Sequence, residues 1–218
     1  VQTCALPISR ISELVGDTRT ALEHYTWIRD QYFDQWQGSG ARLFEDAEQV
    51  TMMGRAFDRW ATLSGAYANN VALHKAILKV FVQAYDIIDR TYWPAHLAAA
   101  EYFHAHGNTA EAARELGAAL SLNPNSVACH RLAGLIALET WNFDAADRCI
   151  ENMRSVDATS LEADVLEARS LLRQRRPDAA ETLLQRVVDW HPRHLEALGL
   201  LAATYALQLR EDQVAATL

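Results

Sequence analysis

The sequence predicts an all-α fold, a right-handed α-solenoid of antiparallel helix pairs, on three observations. Small and apolar positions recur every 34 residues through the second half of the chain. Each block holds two stretches of helical length separated by a polar turn. Two blocks end near a proline, Pro124 and Pro192, which cannot continue a helix. A fixed period in this range is typical of one helix–turn–helix unit stacked on itself.

The regular blocks are residues 93–126, 127–160, 161–194 and 195–218, the last of which stops inside its second helix. Each first helix carries a small residue, and the second helix carries a small or β-branched residue 12 positions later. The pairs are Ala100 with Ala112, Gly134 with Ala146, Ala168 with Ala180, and Ala202 with Val214. Small side chains let two helix axes approach to about 8 Å, so we expect the paired helices to cross at these positions.

Residues 9–92 predict degenerate or expanded helix pairs of the same kind. Gly16 and Asp17 form a turn signal ahead of a helix rich in aromatic residues, namely Tyr25, Trp27, Tyr32, Phe33 and Trp36. Packing between helices is the favoured role for these aromatic side chains, and an aromatic ligand-binding face is the alternative.

The segment from Gln37 to Gly40 has the composition of a linker, and we expect a loop there. Helical periodicity then predicts helices over residues 44–63 and 71–89. Gly54 and Leu78 lie 24 residues apart, where the regular blocks allow 12, which indicates an expanded pair.

Residues 1–8, VQTCALPI, resemble the translation of a sequencing-adapter end and are set aside as a scar, together with Cys4. With the early stop at Leu218, this predicts a fragment truncated at both ends.

Composition limits the classes of partner. Half of the residues are apolar, which supports a large core, and the formal net charge is −8. The negative charge argues against nucleic acids and anionic membranes as main partners. No run of residues approaches the roughly 18 apolar positions of a membrane span.

No motif in the sequence predicts a metal, a cofactor or a catalytic site. His104 and His106 are about 200° apart around a helix and cannot share a metal there. His191 and His194 flank Pro192 without a neighbouring carboxylate or thiol. His-Glu-x-x-His, nucleophile-elbow and phosphate-loop motifs do not occur.

The two remaining thiols, Cys129 and Cys149, are 20 residues apart on the two helices of one block. This spacing fits no redox or zinc motif. Free thiols are favoured, and a disulfide between them stays open.

The period and the pattern of small residues resemble the tetratricopeptide repeat. This resemblance implies that the first helix of each repeat lines a concave groove. The groove residues it implies are Leu97, Glu101, Arg131, Leu135, Leu138, Val165, Arg169, Leu172 and Arg173. Some members of the family clamp a peptide carboxylate with Lys and Asn, but Leu97 and Glu101 stand at those positions here, which argues against such a clamp.

Arg131, Arg169 and Arg173 are expected to form a basic stripe beside apolar leucines of the same helices. The alternative is that these arginines are ordinary surface charges. The function implied by the resemblance is a non-catalytic scaffold that binds a protein or peptide segment in the groove.

A second resemblance covers RAFDRWATLSGAY at residues 55–67, residues 82–103 and residues 191–207. These segments look like the repeat region of large bacterial proteins in which a peptidase-MA-like, gluzincin-type domain follows. The resemblance gives an alternative function, a substrate-presenting region of a larger metallopeptidase-like enzyme.

The last block also predicts self-association. Its second helix is too short to be stable alone, so we expect it to leave the side of Leu198, Leu201 and Tyr205 uncovered.

Overall fold

A computed structural model describes residues 9–39, 46–68 and 70–217, and within these ranges every regular element is helical. The adapter-like residues 1–8 and the predicted positions Gly40, Phe44 and Leu218 lie outside the described residues, as do the side chains of residues 34–39. The chain forms two compact units, Val1–Leu122 and Asn123–Leu218. Each unit is built from antiparallel helix pairs, so the predicted all-α fold class, an α-solenoid of helix pairs, is confirmed.

The first unit begins with helical residues 9–14 and continues through six named elements. They are α1 (Thr18–Ser39), α2 (Ala47–Leu63), α3 (Val71–Val82), a π-helical turn (Gln83–Ile88), α4 (Trp93–Ala105) and α5 (Thr109–Leu122). The second unit contains α6 (Val127–Glu139), α7 (Phe143–Val156), α8 (Leu161–Arg173), α9 (Pro177–Trp190), α10 (Leu195–Leu207) and α11 (Glu211–Thr217).

The core of the first unit combines aliphatic side chains with several aromatic rings. Tyr25 and Phe33 of α1 are buried, and the Phe33 ring packs edge-on against Phe57 with centroids 4.8 Å apart. Gly54 of α2 lies against the Phe81 ring so closely that a Cβ atom there would sit 2.5 Å from Cε1. Tyr25 and Phe33 of α1 therefore serve in packing, while Trp27 remains 41% exposed.

The structure corrects two predictions in the first unit. The expected linker is helical through Ser39, because glycine and serine disfavour a helix by at most about 1 kcal/mol and do not forbid it. The expected helix over 71–89 ends at Val82 and widens into the π-turn, in which the Asp89 amide bonds the Ala84 carbonyl five residues back.

Most predicted crossing positions of the second unit are buried, but Gly134 comes closest to α8 and not to α7, the helix with which it was predicted to pair. Ala146, Ala168 and Ala180 are fully buried, and a Cβ atom on Gly134 would lie 2.5 Å from Cδ2 of Leu166. Any larger side chain at these positions would push the helices apart.

The turns within the four helix pairs from α4 to α11 each contain one residue with a left-handed backbone. Gly107, Trp141, Arg175 and Leu209 have φ of 75°, 58°, 60° and 61°, and they follow one another at the 34-residue period. In each turn this residue and the next donate their amides back to the preceding helix, as Trp141 does to Leu138 and Asn142 to Ala137. Three of the four positions therefore hold a side chain where glycine is favoured.

The structure corrects the prediction that the last helix pair leaves Leu201 and Tyr205 uncovered. Leu201 and Tyr205 are buried at 3% and 7% exposure, because α9 packs against α10 and the Arg210 guanidinium lies 4.7 Å from the Tyr205 ring centroid. The exposed apolar side chains at this end are Leu195, Leu207 and Leu209.

Candidate functional site

An ion-pair cluster joins the first helices of the three helix pairs in the second unit. Arg131 of α6 binds Glu162 of α8 at 2.7 Å and Glu196 of α10 at 2.5 Å. Arg169 of α8 binds the other oxygen of Glu196 at 2.8 Å. His194, which caps α10, lies 3.8 Å from Glu162. The cluster shows that α6, α8 and α10 present these side chains on one common face.

The cluster corrects the expected basic stripe. Arg131 and Arg169 come together as predicted, but Glu162 and Glu196 neutralise them. The four side chains are between 25% and 46% exposed, so solvent screens the pairs and each is worth at most about 1 kcal/mol. The face therefore offers donors and acceptors of both signs.

Apolar side chains continue this face along the same helices. Leu135 lies one turn beyond Arg131, and Leu172 lies one turn beyond Arg169, and both are half-buried. Ala203 is exposed two turns beyond Glu196 on α10. We call Arg131, Leu135, Glu162, Arg169, Leu172, Glu196 and Ala203 the first-helix face.

Two predicted groove residues of this unit are packing residues. Leu138 and Val165 are 2% and 1% exposed, because their positions on α6 and α8 point between helices. Arg173 lies at the end of α8, where its guanidinium donates to the Leu138 carbonyl at 2.8 Å.

The two groove residues predicted in the first unit also have other roles. Leu97 is 6% exposed and belongs to the packing of α4. Glu101 is half-exposed and pairs with Arg55 of α2 at 2.7 Å.

A cleft of about 1300 Å³ opens in the second unit at the N-terminal ends of its first helices. The two turns that connect one helix pair to the next line it, over residues 157–160 and 191–194, together with Leu161, Glu162 and Trp190. Trp190 is 75% exposed. Glu162 and His194 belong both to the cleft and to the ion-pair cluster, so the cleft adjoins the first-helix face.

A buried carboxylate ties α8 to the second helices on either side of it. Asp164 is fully buried and accepts from Arg154 of α7 at 3.0 Å and from Arg186 of α9 at 2.8 Å. Burial disfavours the Arg154 charge, but its hydrogen bonds to Glu167 and Asp164 raise its pKa overall. The hydrogen bond to Asp164 likewise raises the pKa of Arg186. Both arginines therefore stay charged, and the network is structural.

The first unit contains a cluster of ionisable aromatic residues that the sequence did not reveal. Tyr67 donates to Asp58 at 2.6 Å and stacks on His74, with ring centroids 4.2 Å apart. His106 also contacts Asp58, at 3.1 Å, and His74 bonds the Tyr102 hydroxyl at 2.6 Å. Burial raises the pKa of Tyr102 to about 12, and burial followed by the His106 charge lowers the pKa of His74.

Within residues 9–39, 46–68 and 70–217, no three His, Cys, Asp or Glu side chains are grouped as metal ligands. In the same part of the chain, no helix is both long and apolar enough to cross a bilayer. Cys129 and Cys149 are not joined in a disulfide, and burial raises the pKa of Cys149.

Some of the site residues that were not predicted could have been found from the repeat pattern, and others could not. Glu162 and Glu196 stand 34 residues apart at the second position of consecutive first helices, so the period could have revealed them. Asp58, Tyr67 and His74 lie in the expanded pair, where no repeat register exists to align them.

No family model matches the sequence, and no curated protein matches it. Solved structures do match its fold. A tetratricopeptide repeat protein from Parabacteroides merdae is 14% identical with a TM-score of 0.60, over 99% of this chain and 77% of that one.

Two further structures agree. A thermophilic tetratricopeptide-repeat protein of Thermus thermophilus is 15% identical with a TM-score of 0.65, over 96% of this chain and all of that one. MamA of Desulfovibrio magneticus is 12% identical with a TM-score of 0.53, over 77% of this chain and 90% of that one. The chain therefore has the fold of tetratricopeptide-repeat proteins.

Proposed function

We propose that this protein is a non-catalytic scaffold that binds a segment of another protein on the first-helix face of its second unit. The observation that carries the proposal is the composition of that face. The first helices of three successive pairs present half-buried Leu135 and Leu172 and exposed Ala203 around an ion-pair cluster.

Binding to this face would combine apolar contact with hydrogen bonds and ion pairs that fix the position of the bound segment. The two leucines offer apolar area to a partner side chain, while small Ala203 lets a backbone approach closely. The cluster around Glu196 exposes both carboxylates and guanidiniums, so a bound segment finds donors and acceptors without meeting a net charge. The adjoining cleft of about 1300 Å³ gives an extended segment room to continue past Glu162.

Peptides selected on the protein from a random phage-displayed library test this proposal. The selected peptides are labelled and titrated against the parent and against Ala203→Trp, which places a large ring on the face at an exposed position. We expect binding to Ala203→Trp to be about tenfold weaker or more, because the ring occupies the site of the segment.

The matched control is Ala113→Trp, at an exposed alanine of α5 in the first unit. It should leave binding unchanged and should melt like Ala203→Trp. Peptides that bind both variants as tightly as the parent would place the binding surface elsewhere and overturn the proposal.

The resemblance of residues 55–67, 82–103 and 191–207 to repeat regions ahead of a peptidase-MA-like domain supplies a second candidate function. In this second candidate function, the first-helix face presents a substrate segment to a zinc peptidase domain of a longer protein. The sequence of the complete gene tests it. A His-Glu-x-x-His motif downstream supports this role, and a reading frame without one contradicts it.

A further inference from the structure

A second surface of the same unit centres on Trp141, in the turn between α6 and α7. Its ring is 63% exposed although its backbone is left-handed, at a repeat position where the first unit has Gly107. A bulky residue at such a position is strained, and it also exposes a large apolar ring to water. The ring contacts Phe143 of its own helix pair but leaves most of its surface open to a ligand.

The Trp141 ring is held in place by two neighbours. The Arg173 guanidinium lies 5.5 Å from its centroid, and Phe143 packs edge-on at 6.1 Å. Arg173 is itself fixed by its hydrogen bond to the Leu138 carbonyl. A binding element that is already ordered loses little conformational entropy when a ligand arrives.

The turn after α8, which follows the Arg173 that contacts this ring, carries further positive charge. Arg175 and Arg176 follow Arg173 after one residue, Gln174, and all three arginine side chains are exposed. Among the residues that the structure describes, no carboxylate forms an ion pair with any of the three.

Two carboxylates near this turn already accept hydrogen bonds from other side chains. Asp178 accepts from Gln208, and Glu181 accepts from Gln208 and Arg210. Asp144 remains in the first turn of α7, where a helix N-terminus favours a negative charge. In a chain of net charge −8, a local group of three unpaired arginines is a distinct binding feature. We call Trp141, Phe143, Arg173, Arg175 and Arg176 the turn patch.

We propose that the turn patch binds an acidic segment of a partner protein that carries an apolar side chain beside its carboxylates. The apolar side chain packs on Trp141 and Phe143, and the carboxylates pair with the three guanidiniums in forked geometry. Arginine and tryptophan are also the residues most enriched at binding hot spots. The turn patch shares no residue with the first-helix face.

A fluorescein-labelled peptide with two leucines between runs of glutamate is the probe, titrated at low ionic strength by fluorescence anisotropy. A peptide with glutamine in place of glutamate is its neutral counterpart. We expect the acidic peptide to bind at least about tenfold more tightly than the neutral one, because only it can pair with the arginines.

The decisive variants are Trp141→Gly and Leu209→Gly. Glycine suits the left-handed backbone at both positions, so both variants should fold and melt no lower than the parent. Trp141→Gly should bind the acidic peptide about tenfold more weakly, and Arg173→Gln should do the same. At Leu209, which occupies the same repeat position, the neighbouring Arg210 is paired with Glu181, so Leu209→Gly should bind like the parent.

Three results would overturn the proposal. One is equal binding of the acidic and neutral peptides, or no binding of either. Another is binding that survives Trp141→Gly or is lost in Ala203→Trp, which would assign the peptide to another surface. The third is binding of a poly-dT oligonucleotide that depends on Trp141 as strongly as peptide binding does, which would make the patch a site for nucleic acid.

Discussion

Gly54 shows how a single methyl group can decide the packing of the first unit. A Cβ atom there would lie 2.5 Å from Cε1 and 2.9 Å from two further atoms of the buried Phe81 ring. We expect Gly54→Ala to destabilise the protein by up to about 2 kcal/mol, since the roughly 1 kcal/mol gained in helix propensity offsets only part of an overpacking cost of about 1–3 kcal/mol. Chemical denaturation measures this change in the free energy of unfolding.

Gly117 is the matched control, because it also lies within a helix but has no neighbouring atom within 4 Å of the place that a Cβ atom would take. Gly117→Ala should stabilise the protein by up to about 1 kcal/mol from helix propensity alone. If both variants shifted stability in the same direction, the close approach of α2 to Phe81 would be wrong.

At the scale of elements, the turns within the helix pairs carry strain that glycine would relieve. Arg175 and Leu209 have φ of 60° and 61°, and the left-handed backbone disfavours a side chain by about 1 kcal/mol. Arg175→Gly and Leu209→Gly should therefore each raise the free energy of unfolding. The net gain is about 0.5 kcal/mol, because glycine also increases the conformational entropy of the unfolded chain.

Gln174 provides the contrast for that prediction. It precedes Arg175 with an ordinary φ of −80°, so Gln174→Gly gains nothing in the folded state and should lower stability in the same denaturation experiment. Stabilisation of similar size at Gln174 and Arg175 would show that the turn is not left-handed at Arg175.

The contacts of α2, α3 and α4 around His74 predict acid sensitivity. Burial and the charge of His106 lower the pKa of His74, and Asp58, Tyr67 and Tyr102 are the other ionisable groups around it. Because the folded state favours neutral His74, its contribution to stability is present above the unfolded pKa of about 6.5 and is lost as the pH falls below that value.

Thermal melts between about pH 7.5 and pH 5.5 measure this contribution. We expect the melting temperature to fall with pH in the parent and to fall less in His74→Gln, which keeps a polar partner for Tyr102. An identical acid-induced fall in parent and variant would assign the pH dependence to other groups.

The sequence predicted elements where the repeat supplied a register. Ala146, Ala168 and Ala180 were identified as crossing positions because their period reports helix packing directly, and all three are buried. The π-helical turn Gln83–Ile88 could not be predicted, because a widened turn has no composition of its own.

The candidate site was predictable only in part. Arg131 and Arg169 were identified from their place in the repeat, but their neutralisation by Glu196 depends on how long side chains cross between helices. The burial of Leu138 and Val165 depends on the rotation of α6 and α8, which a pattern of spacing does not resolve to one residue.

At the scale of the whole molecule, self-association stays a prediction with a revised surface. Leu207 and Leu209 are 52% and 88% exposed in the last helix pair, while α11 buries no residue. Exposed apolar side chains grouped in this way form an association surface. Light scattering across a concentration series should show a rising mean mass for the parent and a smaller rise for Leu207→Glu.

Val71→Glu is the control for association, since Val71 is 66% exposed in the first unit. It should associate like the parent. A parent that stays monomeric at every concentration, or equal effects of the two variants, would contradict association through the last helix pair.

Methyl NMR can show whether the first-helix face of the second unit binds a protein segment. A peptide selected on the protein is titrated into a sample with labelled leucine methyl groups. We expect the methyl signals of Leu135 and Leu172 to shift and to saturate together, while the methyl signals of Leu183 in α9 stay in place. Shifts that saturate at Leu183 and leave Leu135 and Leu172 in place would contradict binding at this face.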